Sequence, residues 1–241
     1  MANTKNGSFQ FRPFRWLGLL LFWAFCAVVL LQLWYLAQIT YWARFNPGNT
    51  SFMNIRLQEM RQTDPRAQLK HQWVPYDQIN LNLKRAVVAA EDSGFMDHMG
   101  VEPEAIELAL KRNLRRGKVT HGGSTITQQL AKNLFLTGKR SYLRKAQELM
   151  IAFMLEAVWG KRRILEVYLN VVEWGNGVYG AQAASRYYYG VDAAQLNPAQ
   201  AARMAGMLPA PRYFDKRRGS PFLARKTGAI QARLYQVAVP R

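Results

Sequence analysis

The sequence predicts a mainly α-helical domain carried on one N-terminal membrane-spanning helix. Two observations favour this fold class. The stretch "LGLLLFWAFCAVVLLQLWYL" near the N-terminus supplies the roughly 20 apolar residues that a spanning helix needs. Beyond it, apolar residues recur at steps of three and four, which is typical of helices that bury one face, whereas the alternation typical of strands is scarce.

The predicted span carries no charged residue between positions 16 and 43. Aromatic residues flank it at both ends, where their amphipathic rings favour the headgroup level of a bilayer. A cleaved signal peptide is the alternative, but the apolar region of signal peptides is only about 7–15 residues long, shorter than the apolar run here. Three basic residues precede the span: Lys5, Arg12 and Arg15. Only Arg44 follows it closely, and this bias predicts a cytoplasmic N-terminus.

The chain divides into four predicted segments. They are a cytoplasmic tail (1–15), the transmembrane helix (16–42), a membrane-proximal connector (43–75) and a helical domain (76–241). Within that domain, helical periodicity covers residues 81–92, 103–116, 125–136, 141–159, 162–172 and 198–208. Start signals agree with three of these helices: Thr125 with Gln128 fits a capping box, Pro103 suits a first turn, and Asn197 precedes Pro198.

Charge and cysteine content limit the function classes. The chain has 33 basic and 15 acidic residues, a net charge of +18 and a pI near 10.4. This balance predicts an anionic partner, which could be nucleic acid, acidic lipid or a phosphorylated substrate. The single cysteine, Cys26, lies inside the span, so we expect no disulfide in the soluble domain and no redox function.

The first chemical candidate is the acidic pair in "AVVAAEDSGFMDHMGVE". Glu91 follows five small apolar residues, so partial burial should raise its pKa and make it a better proton acceptor near neutral pH. A cap or an ion pair is the structural alternative for Glu91 and Asp92. His98 has no partner at metal-ligand spacing, which favours a structural role.

The second and third candidates lie further along the chain. In "HGGSTITQQLAKN" two glycines lead into a helix with Ser124 and Thr125 at its start, an arrangement that can bind an anionic group or simply cap the helix. It lacks the ending of a nucleotide P-loop, which disfavours ATP. In "RSYLRKAQELM", Arg144 and Glu148 are neighbours on one helical face, either as a surface ion pair or as part of a cleft.

Together these segments resemble the peptidoglycan glycosyltransferases of family 51. The sequence "EDSGFMDHMG" is similar to the family's ED-x-x-F-x-x-H-x-G motif, and "GGSTITQQLAKN" to its G-x-S-T-x-T-Q-Q-x-x-K-N motif. "RKAQE" and "RRILEVYLNVVEWGNGVYG" resemble its R-K-x-x-E and I-L-E-x-Y-L-N motifs, in the family order. The resemblance implies a lysozyme-like helical fold and lipid II as the substrate, with undecaprenyl diphosphate as the leaving group.

The resemblance also implies roles for individual residues. Glu91 matches the catalytic glutamate, which would deprotonate the 4-hydroxyl of the acceptor lipid II, and Asp92 is then an orienting or structural neighbour. Glu148 matches the second glutamate near the donor diphosphate or sugar. The residues expected around the donor are Ser124, Gln128, Lys132, Arg140, Arg144 and Lys145, with Arg225 as a further phosphate contact.

Further expectations concern cofactors, partners and location. The sequence requires no cofactor and has no dedicated metal-ligand spacing, although a divalent cation (Mg²⁺ or Mn²⁺) has a place at the diphosphate. The expected partners are lipid II, the growing glycan strand, membrane lipid and, through the transmembrane helix, division or elongation proteins, but not nucleic acid. We expect a single-pass protein of the bacterial inner membrane with a periplasmic catalytic domain and no transpeptidase activity.

Three other functions compete with this one. A lytic peptidoglycan-cleaving enzyme would use the glutamate first as an acid, but it leaves no diphosphate for the basic residues to stabilise. A non-catalytic envelope scaffold would not need Glu91 and Glu148. A membrane-tethered nucleic-acid binder fits the pI, but its basic residues should lie with base-stacking aromatics.

Overall fold

The computed structural model describes residues 13–104, 107–108, 111, 123–138 and 141–241. The helices are α1 (Pro13–Trp42), α2 (Ser51–Thr63), α3 (Leu81–Glu91), α4 (Ile126–Phe135), α5 (Tyr142–Val158), α6 (Lys161–Val171), α7 (Ala181–Tyr189), α8 (Pro198–Met207), α9 (Pro211–Lys216) and α10 (Pro221–Arg233). Short 3₁₀ turns lie at Tyr76–Gln78 and Ala193–Gln195. The prediction of a mainly α-helical chain is confirmed.

Helix α1 contains the predicted span. Residues Trp16–Trp42 are long enough and apolar enough to cross a membrane, with a mean hydropathy of 2.3. Most large side chains in its first half are exposed, as expected of a surface that lipid covers: Trp16, Leu20, Trp23 and Phe25 are among them. Its last three turns instead pack against α5 and the residues around it.

Side-chain caps mark where α4, α5 and α8 begin. Thr125 accepts a hydrogen bond from the backbone N–H of Gln128 at the start of α4, and Ser141 does the same for Arg144 at the start of α5. The predicted Thr125–Gln128 capping box is only half formed, because the Gln128 side chain accepts a hydrogen bond from Lys145 instead. Asn197 and Gln200 form a complete capping box at α8.

A small three-stranded sheet closes the side of the domain near α7. Its order is β1 (Lys70–His71), β3 (Val178–Tyr179) and β2 (Glu173–Gly175), with β1 parallel and β2 antiparallel to β3. The buried amide of Asn170, which lies in the "YLN" segment at the end of α6, accepts from the Val74 N–H and donates to the Val74 carbonyl. These two hydrogen bonds hold the segment that precedes α3 against α6.

The core lies between two groups of helices. Helix α8 packs on α3 and α10, and α4 packs on α5, α6 and α2. Large buried side chains from different elements fill the space between them, including Phe95, Leu130, Ile151, Tyr168 and Trp174. The end of α3 and the start of α4 meet between these groups, and the candidate site lies there.

The helices predicted from residues 81–92, 125–136, 141–159, 162–172 and 198–208 are present within one or two residues of those bounds. The predicted helix at 103–116 falls partly outside the described residues, and its described residues Pro103, Glu104, Glu107, Leu108 and Lys111 are helical. The basic residues Lys5 and Arg12 also lie outside the described part of the chain.

Candidate active site

Glu91 is the last residue of α3 and lies partly buried beside α4. Burial raises the pKa of its carboxyl group, as the sequence predicted. A hydrogen bond from the Gln129 amide and the positive charge of Lys226 oppose this effect by favouring the carboxylate. The result is a carboxylate with a higher proton affinity than that of an exposed glutamate, which is the property of a general base.

The orientation of Glu91 is set by two further side chains. Gln129 Nε2 donates to Glu91 Oε2 over 2.9 Å, and the Tyr168 hydroxyl donates to Gln129 Oε1 over 2.9 Å. Tyr168 is fully buried, and burial raises its pKa well above its usual range, so it remains a hydroxyl donor. Because the Gln129 amide oxygen accepts the hydrogen bond from Tyr168, the NH₂ group of Gln129 faces Glu91.

Asp92, in contrast, has a structural role. Its Oδ2 accepts from the backbone N–H of Ile126 at the start of α4 over 2.9 Å, and its Oδ1 accepts from His98 Nε2 over 2.8 Å. The His98 Nδ1 accepts from the Gly100 N–H, so the imidazole proton is on Nε2. Asp92 therefore holds the start of α4 against the end of α3.

Asp92, His98 and Glu102 also have potential metal-ligand atoms within 4.8 Å of one another. Both carboxylate oxygens of Asp92 already accept hydrogen bonds, however, and both ring nitrogens of His98 are engaged. To bind a metal ion, His98 would have to give up its hydrogen bond to Asp92 or the one from Gly100.

Replacing Asp92 by alanine should destabilise the fold. The change leaves the buried Ile126 N–H and His98 N–H without acceptors, at an expected cost of about 2–4 kcal/mol. The melting temperature should fall by roughly 5–10 °C in thermal unfolding in detergent. The matched control Asp97→Ala removes an exposed aspartate from the same loop and should change the melting temperature by less than about 2 °C.

Glu148 lies on α5 at the centre of a cationic cluster. It is buried, its Oε2 accepts from Arg144 over 2.6 Å, and its Oε1 accepts from Lys145 over 2.6 Å. The Lys145 ammonium also donates to Ser124 Oγ and to Gln128 Oε1, at 3.2 and 3.1 Å. Five of the residues predicted to form the site, from two motifs, are therefore brought together.

Two polar donors in this cluster lack partners. Gln128 Nε2 and Arg144 Nε are buried, and neither has an acceptor among the described residues. A buried donor without an acceptor is costly in a finished fold. Beside Lys145, these two donors are placed to bind an acceptor such as an anionic oxygen of a ligand.

Of the remaining predicted residues, one lies near the two glutamates, one is exposed away from them, and one is not described. Lys132 lies on α4 near both glutamates: burial lowers its pKa, and the negative charges of Glu148 and Glu91 oppose that shift. Arg140 lies outside the described residues. Arg225 is exposed on α10, and among the described residues no hydrogen bond or ion pair joins it to the site. The next residue, Lys226, is the one whose charge acts on Glu91.

Two adjoining cavities extend from this site. One of about 390 Å³ is lined by Gln129 and Lys132, together with residues of α9 and β2. A second of about 520 Å³ lies towards α2. Both are lined by Phe52, Glu173, Tyr179 and Arg212. The buried Tyr179 hydroxyl has no partner among the described residues, and burial raises the pKa of Glu173.

Sequence reasoning missed Gln129, Tyr168 and Lys226. Gln129 and Lys226 each stand beside a residue that the motif comparison had named, so the motif located the segment but not the side chain that faces Glu91. Helical geometry gives a partial signal, because adjacent residues on α4 point about 100° apart and cannot both face the same carboxylate. Tyr168 had no local signal, since it reaches Gln129 from α6.

The chain belongs to the transglycosylase family, whose model matches residues 57–235. It is similar over nearly its whole length to proteins named biosynthetic peptidoglycan transglycosylase. The relative from Dechloromonas aromatica (strain RCB) is 55% identical over 226 residues, which are 94% of this chain and 98% of the relative. The relative from Janthinobacterium sp. (strain Marseille) is 55% identical over 225 residues, 92% of this chain and 97% of the relative. The family inferred from the motifs is confirmed.

Proposed function

We propose that this enzyme polymerises peptidoglycan glycan strands by transferring a lipid-diphosphate-linked strand onto the 4-hydroxyl of lipid II. Membership of the transglycosylase family and the names of its relatives support the reaction class. The observation that carries the assignment to a site is the arrangement on α4: Gln129 orients Glu91, and its neighbour Gln128 contacts the Lys145–Glu148 cluster.

Glu91 acts as the general base in this proposal. Its carboxylate takes the proton of the acceptor 4-hydroxyl while that oxygen attacks C1 of the donor sugar and the bond from C1 to the diphosphate oxygen breaks. Attack opposite the leaving group inverts C1 and gives a β-1,4 link with undecaprenyl diphosphate as the product. The raised pKa of Glu91 favours this proton transfer.

The cationic cluster receives the donor diphosphate. Lys132, Arg144 and Lys145 supply positive charge. Gln128 Nε2 and Arg144 Nε, which have no partner within the described part of the chain, supply hydrogen-bond donors. Such pre-oriented donors stabilise the charge that develops on the departing diphosphate, which is commonly a large catalytic contribution. Glu148 holds two of these cations in place. Arg140 and Arg225 remain further candidates for phosphate contact.

A divalent cation is not required by this arrangement. The side chains around the proposed diphosphate position are mainly cationic, and the carboxylate of Glu148 is already bonded to Arg144 and Lys145. Mg²⁺ or Mn²⁺ would therefore be held by the diphosphate oxygens rather than by protein ligands. Bound there, the ion would add charge neutralisation at the leaving group.

The proposed location is the bacterial inner membrane, with a cytoplasmic N-terminus and a periplasmic catalytic domain. The apolar helix α1 supports a membrane anchor, and the lipid-linked substrate requires one face of the domain to approach the bilayer. The first half of α1 exposes large apolar side chains, so partner helices from division or elongation proteins would bind there. Nucleic acid has no part in this proposal.

The direct test is polymerisation of labelled lipid II by the purified full-length protein in detergent. We expect long glycan products on a gel that a muramidase cleaves, together with released undecaprenyl diphosphate. Shortening of preformed strands without polymerisation would indicate the lytic alternative, and no reaction with either substrate would indicate the scaffold. Release of D-alanine from the same lipid II would contradict the predicted absence of transpeptidase activity.

The Gln129→Leu variant should shift the acid limb of the pH profile. Glu91 must be deprotonated to act as a base, so kcat/KM should fall as pH drops through its pKa. Removing the Gln129 hydrogen bond takes away a contact that favours the carboxylate, which raises this pKa further. The midpoint of the acid limb of kcat/KM should therefore move to higher pH, and an unchanged or lower midpoint would contradict the assigned base.

A further inference from the structure

The second half of α1 is docked on the catalytic domain. Ile39 is fully buried and Tyr35 nearly so, and the Trp159 indole N–H donates to the Ile39 carbonyl over 2.8 Å. The Arg163 guanidinium donates to the carbonyl oxygens of Trp42 and Phe45 at 2.9 and 2.8 Å. The docked part, from residue 32 to residue 42, is about 15 Å long at the rise of an α-helix.

At the far end of this docked part, two glutamines exchange hydrogen bonds. Gln32 Nε2 donates to Gln147 Oε1 over 2.9 Å, and Gln147 Nε2 donates to Gln32 Oε1 over 3.0 Å. The neighbours of Gln32 in α1, Leu31 and Leu33, are exposed apolar residues. In such surroundings an amide is strongly driven to find a partner, which makes the pair a specific contact between the span and α5.

The position of Gln147 makes this contact relevant to the active site. It directly precedes Glu148 on α5, within one turn of Arg144 and Lys145. A helix moves as a rigid body over so short a distance, so a contact at Gln147 sets the rotation of all three charged side chains. On the same helix, Leu143, Met150 and Phe153 are exposed. Helix α1 packs against this helix.

We propose that Gln32 is a positioning residue and that the membrane-spanning helix fixes the orientation of α5 through the Gln32–Gln147 pair. Gln32 then acts on catalysis through α5, because its contact with Gln147 sets where Arg144, Lys145 and Glu148 meet the donor diphosphate. This inference rests on the proposed function for its effect on turnover, and on the hydrogen-bonded pair alone for its effect on the conformation of α5.

The test uses the full-length protein reconstituted in vesicles of anionic and neutral phospholipid. Kinetics with lipid II are compared for the wild type, Gln32→Leu, Gln147→Leu, the double variant and the control Gln38→Leu. Gln38 lies in the same span and is partly buried, and among the described residues it has no hydrogen bond to the domain. We expect Gln32→Leu to lower kcat about tenfold with KM changed less than about threefold, and Gln38→Leu to leave both unchanged.

The double variant separates coupling from independent damage. If the pair acts as a unit, the variant with both glutamines replaced should be no slower than the slower single variant, whereas independent effects would multiply. Multiplying effects, or a Gln32→Leu enzyme within twofold of the wild type, would overturn the proposal. Melting temperatures within a few degrees of the wild type would exclude a general loss of stability.

Amide hydrogen exchange of α5 gives a readout that does not depend on turnover. Gln32→Leu should increase exchange across residues 142–158, and Gln38→Leu should not. If the wild type failed to polymerise lipid II, the proposed function would fall while this exchange difference still tested the positioning contact. Unchanged exchange in α5 would overturn the inference whatever the activity.

Discussion

Replacing Glu91 by glutamine is expected to lower the rate of glycan polymerisation by about 10³-fold, within the range that a general base contributes. Glutamine has nearly the same shape and can still bond Gln129, but it cannot accept the proton of the 4-hydroxyl. The measurement is the initial rate of product formation from labelled lipid II at saturating concentration. A residual rate within tenfold of the wild type would contradict the assignment of Glu91 as the base.

The same variant should not be less stable than the wild type. A carboxyl group whose pKa is raised on folding binds protons more readily in the folded state, so its contribution to stability is lost as pH rises through its folded pKa. At neutral pH the ionised Glu91 therefore costs stability, and Glu91→Gln should melt at the same or a higher temperature. The matched control is Glu104→Gln. Glu104 is an exposed helical glutamate, so this variant should keep the full rate of polymerisation.

Replacing Glu148 by glutamine is expected to lower kcat about 10²-fold, because it displaces the cations that surround the donor diphosphate. The carboxylate accepts charge-assisted hydrogen bonds from Arg144 and Lys145, both of 2.6 Å. A neutral amide cannot hold both cations close together, so their positions around the diphosphate should be lost. Because Glu148 is buried, the variant should also lose about 2–3 kcal/mol of folding stability. This loss is smaller than that for breaking a fully buried ion pair, because Arg144 and Lys145 are partly exposed.

An exposed ion pair of similar spacing gives the control for Glu148. Glu107 and Lys111 form an i,i+4 pair on the surface, and Glu107→Gln should change stability by less than about 0.5 kcal/mol and leave kcat unchanged. If Glu148→Gln behaved like Glu107→Gln in both measurements, the buried cluster would have no role at the donor site.

Helices α3, α4, α5, α6 and α8 could be predicted from the sequence because apolar residues recur in each at helical spacing. Helix α3, for example, combines the Asn80 cap with apolar residues at helical spacing. The sheet could not be predicted, since β1 and β3 are two residues long and pair in parallel across more than a hundred residues of sequence. Such short strands carry no alternation that a sequence pattern can detect. The docking of α1 on α5 likewise depends on contacts between distant residues.

The candidate site was predictable to the level of segments. Motif order located Glu91, Glu148 and the basic residues between them, and charge at helical spacing placed Arg144 beside Glu148. The side chains beside Glu91 were beyond the sequence: Gln129 contacts Glu91 and the charge of Lys226 acts on it, and neither was among the predicted residues. These contacts depend on how α4 and α10 are rotated against α3, which packing of the whole domain decides.

The most direct test of this account separates binding from chemistry at Glu91. Lipid II binding and single-turnover polymer formation would be measured for the wild type and for Glu91→Gln in the same detergent. If Glu91 is the base, the variant should bind lipid II within about threefold of the wild type while its rate of bond formation falls by at least about 10²-fold. Loss of binding in parallel with activity, or bond formation at a near wild-type rate, would contradict the account.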